Sequence, residues 1–350
     1  MGGGLHSRIG FELELLAPGG SSRRDLAVAL ADRHGGVVRP VWHADSEPSV
    51  VASLGGRFLH LTQGFEVAAE AGELLCTLVD DITITADLDP SAPALPGWHR
   101  LLTDDPRLLR LLAHVSDPGA PIETVLDAAA SLWETQPERI GQVWRLESDG
   151  ATIALATPSG GERERPCEIV TPPIVTDHLM ALDSLLGGAR SLGFTVPQEA
   201  AVHLHFDGNP FRKAASFANV VRLFGWWHEP LRALLGTNPQ CRRLAALPAE
   251  LVATVDGSPA WEELRATATR SGVSKFFDVN LTQLLRDDPV RDTLEVRVLP
   301  GSLDADDVVA HACLVERLLD RCCDPHPLPA PSPVLATAVD ELRAMARSLR

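Results

Sequence analysis

The chain has 350 residues, enough for one large domain with insertions or for two smaller ones. Its 47 acidic and 31 basic residues leave a formal net charge of −16, which argues against a phosphate-backbone surface and so against nucleic acid as a partner. No run reaches the roughly 18 to 20 apolar residues of a membrane span; with no signal-like start and no Cys-x-x-Cys among six cysteines, the sequence points to a cytoplasmic protein with reduced thiols.

RIGFELELLAP opens the chain with apolar residues alternating with Glu12 and Glu14, the period of a strand, and Pro18 with two glycines stops it. SSRRDLAVALADRHGG reads as a helix with serine before it and glycine after it. RFLHLTQGFEV and TLVDDITITADL, between residues 50 and 90, are strand-like, and DPSAPALPG closes that section. The Leu-rich stretch that follows is expected to be a helical insertion at about residues 97–140. Strands then return, with Asp149-Gly150 as a hairpin turn, followed by the helix TDHLMALDSLLGGARSLG. After the strand AVHLHFD, a long helix is expected over about 212–235, bent at Pro230. SKFFDVNL and TLEVRVLPG are further strands, and DADDVVAHACLVERLLDRCC is a helix with acidic residues at its positive end. Residues 1–325 read as the main domain, and 326–350 as a Pro-rich linker with a last amphipathic helix that has a face for a second copy of the chain.

Successive strand side chains point to opposite faces. On four strands far apart in sequence this groups Glu12 with Glu14, isolates Glu168, groups His203 with His205 and Asp207, and pairs Glu295 with Arg297, each set opposite aliphatic or aromatic residues. An ordinary wet sheet face would mix in Lys, Ser, Thr and Gln. Two carboxylates at i and i+2 repel across roughly 6 to 7 Å unless a cation or water lies between them. Carboxylates with an imidazole suit a hard divalent ion such as Mg²⁺ or Mn²⁺, and such an ion commonly bridges to substrate phosphates. No Walker loop and no Gly-x-Gly-x-x-Gly between strand and helix is present, so metals and arginines would have to hold the phosphates of any ATP. Arg297 suits that role, with Lys275 and Arg270 as further cations ahead of the FFDVNL segment. Which of His203 and His205 would bind metal stays open.

In their order, GFELE, CEIVTPP, VHLHFD, FFDVNL and TLEVRVLPGSLD resemble the amidoligase family, a branch of the carboxylate-amine ligase superfamily that also holds glutamine synthetase and glutamate-cysteine ligase. The similarity rests on five short motifs and spans residues from about 8 to 320. It implies an α+β fold, a curved, mostly antiparallel glutamine-synthetase-like half-barrel sheet with helices on its outer face. It also implies ATP and Mg²⁺ as cofactors, with Mn²⁺ as a substitute, and a small-molecule or peptide carboxylate that is phosphorylated and then captured by an amine or ammonia to give an amide. Carried over residue by residue, Glu12, Glu14, Glu168, one of His203 and His205, and Glu295 would be metal ligands. Arg297 would hold the transferring phosphoryl group, and Asn280 would orient nucleotide or substrate. His205 and Glu295 join Arg297 as the residues expected to act in catalysis. The family's aspartate after a tryptophan has two candidates, Asp45 and Asp149. A metal-dependent amide hydrolase and a non-catalytic peptide-binding protein on the same scaffold are the competing readings. A Cys167 nucleophile is disfavoured because alternation turns Cys167 to the apolar face.

Overall fold

The computed structural model describes residues 4–44, 49–51, 56–241 and 243–347. The first half runs β1 (Ile9–Leu16), α1 (Arg23–Arg33), β2 (Val37–Ala44), β3 (Ser49–Val51), β4 (Gly56–Ala68), β5 (Leu74–Val79), β6 (His99–Thr103), α2 (Pro106–Val115) and α3 (Asp127–Leu132). Next come β7 (Glu138–Ile140), β8 (Val143–Ser148), β9 (Ala151–Pro158), β10 (Pro166–Val170), α4 (His178–Ser191) and β11 (Ala201–Asp207). The chain ends with α5 (Ala214–Gly225), α6 (His228–Leu235), α7 (Ala249–Thr254), α8 (Trp261–Arg270), β12 (Val279–Asn280), β13 (Thr293–Pro300), α9 (Ala305–Cys323) and α10 (Leu335–Arg347). The fold is α+β with antiparallel strand pairing, as the alternating strands and the family resemblance imply. No helix among the described residues is long and apolar enough to cross a membrane.

Two units divide the chain. The first holds residues 1–13, 171–187 and 198–350, the second 14–170 and 188–197, and the boundary falls inside β1. In the first unit β12, β13, β11 and the start of β1 lie side by side, each pair antiparallel. Phe11, Leu204, Phe206, Leu294 and Val296 are buried on the apolar side of these strands, each contributing roughly 1.5–3 kcal/mol by leaving water. α9 packs on α5, and α10 packs on α6 and α9. Ala338, Leu342 and Ala346 are buried there. The apolar face of the last helix is thus covered within the chain, which removes the argument that it waits for a second copy.

In the second unit β10, β5, β4, β6, β9, β8 and β7 follow one another, with β2 also on β4. Leu61, Leu101 and Leu146 form a core with Leu109 and Leu112 of α2 and with Ala129 of α3. α1 starts with a capping box in which Ser22 accepts from the Asp25 amide and the Asp25 carboxylate accepts from the Ser22 amide, and the helix lies against β4. After it, a Cβ at Gly36 would fall 1.8 Å from the Ala68 carbonyl oxygen, so the chain can pass there only as glycine. The hairpin at Asp149 and Gly150 is present, with φ of 52° and 76°, the left-handed pair that a tight two-residue turn demands.

Three elements differ from expectation. The stretch at 97–140 is not a helical insertion throughout: His99–Thr103 is a strand between β4 and β9, and the helices cover only 106–115 and 127–132. Its leucines mislead because Leu101 faces the core while Leu102 lies on the other side of a doubly covered strand. The helix expected over 212–235 breaks before its proline. Pro230 sits in the first turn of α6, where a missing N–H leaves no intrahelical bond unmade. In the FFDVNL segment only Val279 and Asn280 pair with β13.

Candidate functional site

Register brings the motifs of the first unit together. Glu12 lies opposite His203, His205 opposite both Gly10 and Glu295, and Glu295 opposite Asn280. These side chains leave the sheet on the side away from Phe11, Leu204 and Val296, so alternation alone places two acids, two imidazoles and an amide on one surface. The shift in register between Val202 and Leu204 is a bulge in this same strand pair, a device that re-aims neighbouring side chains.

Glu12 is the hub. One of its carboxylate oxygens is 3.0 Å from His203 Nδ1 and the other 3.0 Å from His205 Nε2. Arg291 Nη1 lies 3.9 Å from the same carboxylate. Glu295 is bonded by the Arg297 guanidinium at one oxygen and accepts from Asn280 Nδ2 at 2.7 Å on the other. Asn280 is itself fixed, its Oδ1 accepting from the Thr282 hydroxyl at 2.6 Å and the Thr282 amide at 3.0 Å. His205 Nδ1 is 3.3 Å from the Thr293 hydroxyl.

The electrostatics follow from this geometry. Burial opposes charge on Glu12, but the adjacent His205 and hydrogen bonds from both imidazoles outweigh it and hold the carboxyl well below the usual carboxylate range. Burial likewise opposes ionisation of Glu295, and the Arg297 charge overcomes it, so this carboxyl too is lowered. For His205, burial disfavours the cation, yet Glu12 and Glu295 together raise its pKa above the ordinary histidine value. Both acids are therefore ionised at neutral pH, the state in which carboxylates ligate metal.

One ligand atom each of Glu12, His205 and Glu295 lies within 4.8 Å of the others. Two carboxylates and an imidazole are a donor set that a hard divalent cation accepts, so these residues fit the metal that the resemblance implies. Glu14 follows Glu12 on β1 and is buried, and Glu168 is half-buried on β10; both belong to the second unit. Arg270 ends α8 in an exposed ion pair with Glu250, and no contact joins it to the strand acids among the described residues. The Lys275 ammonium lies 5.2 Å over the Phe276 ring.

Other expectations resolve as architecture. Asp149 is the exposed first residue of its hairpin turn, and Asp45 falls outside the described residues. Cys167 is buried on the apolar side, where loss of solvent pushes its thiol far up and leaves it inert as a nucleophile. Two groups escaped the sequence reading. Thr293 precedes Glu295 and Arg297 on the same alternation and could have been found by extending it. Asp278, 1% exposed, is bonded by Arg232 and lies 3.1 Å from His228 Nε2; its carbonyl accepts from the Arg297 amide at 3.0 Å, so the trio braces the arginine-bearing strand from below. An acid inside the apolar run FFDVNL was the signal.

A family model described as "Putative amidoligase enzyme" matches residues 5–319 of the chain. Neither the curated proteins nor the solved structures gave a match. The match covers most of the chain, including Glu12, both histidines, Asn280 and Glu295, and the chain belongs to this amidoligase family.

Proposed function

We propose that the protein is an ATP-dependent ligase that joins a carboxylate to an amine or ammonia through an acyl phosphate, with Mg²⁺ or Mn²⁺ as its metal. The supporting observation is the convergence of Glu12, His205 and Glu295 within one ligand sphere beside the Arg297 guanidinium. A bound divalent cation would neutralise phosphate oxygens and so ease attack by an anionic carboxylate. Glu12, Glu295 and an imidazole would hold it; Asn280 would keep the Glu295 carboxylate turned toward it. Arg297 would take up charge spreading over the transferring phosphoryl group, as a guanidinium fork does well. The substrate carboxylate oxygen would attack the γ-phosphorus with loss of ADP. The amine nitrogen would then attack the acyl carbon, expelling inorganic phosphate and giving up its surplus proton to water.

The test is release of ADP from ATP and Mg²⁺ against panels of carboxylates and amines, with the amide product identified by mass. Turnover that requires both substrates and disappears in Glu12→Gln supports the ligase. Amide cleavage without nucleotide would replace it with a hydrolase, and absence of both turnover and metal-dependent stabilisation by ATP would replace it with a binding protein.

A further inference from the structure

Arg100 stands out in the second unit. It lies on β6 with Thr62 opposite it on β4 and Thr157 opposite it on β9, and His43 of β2 lies opposite Thr62. Directly opposed residues share a face, so His43, Thr62, Arg100 and Thr157 form one row across four strands. The row is on the side away from Leu61, Leu101 and Ala156, which face the helix-covered core. Glu168 is on that same side of β10: it opposes Val79, the neighbour of Leu78, and Leu78 pairs with the core-facing Phe65.

Among the described residues, Arg100 has neither a hydrogen bond nor an ion pair, and its Nε is buried without a partner. The Thr62 hydroxyl beside it is also buried and unbonded, in a residue only 4% exposed. The carboxylate that could have served Arg100 is Asp80, but Asp80 is taken by the Arg163 fork, whose remaining donors reach the Ile84 and Asp81 carbonyls at 2.7 Å each. Burial lowers the Arg100 pKa and the Arg163 charge adds to that, against the opposing pull of Asp80. A guanidinium remains protonated even so, because its ordinary pKa lies far above neutrality. A partly buried cation next to an idle hydroxyl donor is a costly arrangement for a resting protein, and an oxyanion is the complement that relieves it.

We propose that Arg100 and Thr62, flanked by His43 and Thr157, form a subsite for an oxyanion, either a carboxylate or a phosphate group. The inference stands on the second unit alone and does not depend on the ligase reading. Full-length protein, with chelator present so that no metal recruits the anion, is titrated with inorganic phosphate and separately with acetate while the Arg Nε–H signals are followed by NMR. The Arg100 signal, assigned by its absence in Arg100→Lys, is expected to shift saturably, and the anion that saturates it at lower concentration names the source. Thr62→Val should weaken that anion about threefold or more, and Arg100→Lys, which keeps charge but loses the fork, about tenfold by thermal shift. Arg297→Gln should leave the response in place. If neither anion moves the Arg100 signal saturably, or if the response is lost in Arg297→Gln and kept in Arg100→Lys, the subsite is wrong.

Discussion

Arg297 and Arg100 are both strand arginines set opposite apolar cores, one in each unit, and their surroundings could hardly differ more. Arg297 has Glu295 two residues away on its own strand, and Glu295 is further bonded by Asn280. Arg100 has a threonine on each side, and Asp80, the acid whose charge acts on it, already serves another arginine. Matched charges in the first unit hold a fixed arrangement of acids and imidazoles at low free-energy cost, which suits a centre that must keep its geometry. The unmatched cation in the second unit raises the free energy of the folded chain unless something outside the chain answers it. Preorganisation and readiness for a ligand are thus written in the same residue type, and the difference lies in what each fork finds across the sheet.

The largest effect is expected at the hub of the matched centre. Glu12→Gln replaces a carboxylate that is hydrogen-bonded to His203 and lies 3.0 Å from His205 with an amide that offers one oxygen and no charge, so both histidines lose their anionic partner along with a metal-ligand candidate. ATP-dependent amide formation should fall by about 10³-fold or more, read as ADP release, and stabilisation by metal with ATP should vanish in a thermal scan. A variant with near-full turnover would place the chemistry elsewhere.

Next comes Asp278. Burial alone would raise its pKa, but hydrogen bonds from Arg232 and His228 hold it below its ordinary value of 3.8. A carboxyl depressed in the folded state stabilises it above the unfolded pKa, and that contribution disappears as pH falls through the folded value. Asp278→Asn should therefore cost about 2–3 kcal/mol in denaturant unfolding at neutral pH, with the gap to the parent closing below about pH 4 as the parent itself is protonated. A gap unchanged at low pH would mean the loss is one of shape and not of charge.

Much of the matched centre was legible because each strand there is apolar on one side only: the period of two in FELEL, VHLHF and TLEVRV separates acids and imidazoles from the core without any knowledge of partners. The register was not legible. Nothing in the sequence says that Glu12 meets His203, 191 positions away, or that Asn280 donates to Glu295, because such pairing depends on how distant strands align. Arg100 was hidden for a different reason. HRLLT is covered on both sides, so its leucines do not alternate with polar residues and the segment joined the helical stretch that follows. The surroundings of Arg270 were not legible either, since its pairing with Glu250 joins residues 20 positions apart.

The two arginines can be compared directly by removing each charge and keeping the stem. Arg297→Met leaves the buried Glu295 carboxylate with the Asn280 amide still donating to it but without its guanidinium, and a carboxylate so uncompensated should cost about 2 kcal/mol at neutral pH. Arg100→Met removes a cation that has no hydrogen-bonded or ion-paired partner among the described residues, and the methionine stem can still cover the Leu102 side of the strand. Its unfolding free energy in anion-free buffer should match the parent or exceed it by up to about 1 kcal/mol. The parent should recover that difference on adding the anion that Arg100 binds, whereas the variant should not respond. A loss in Arg100→Met as large as that in Arg297→Met would show that Arg100 is matched after all, and the contrast between the two units would fall with it.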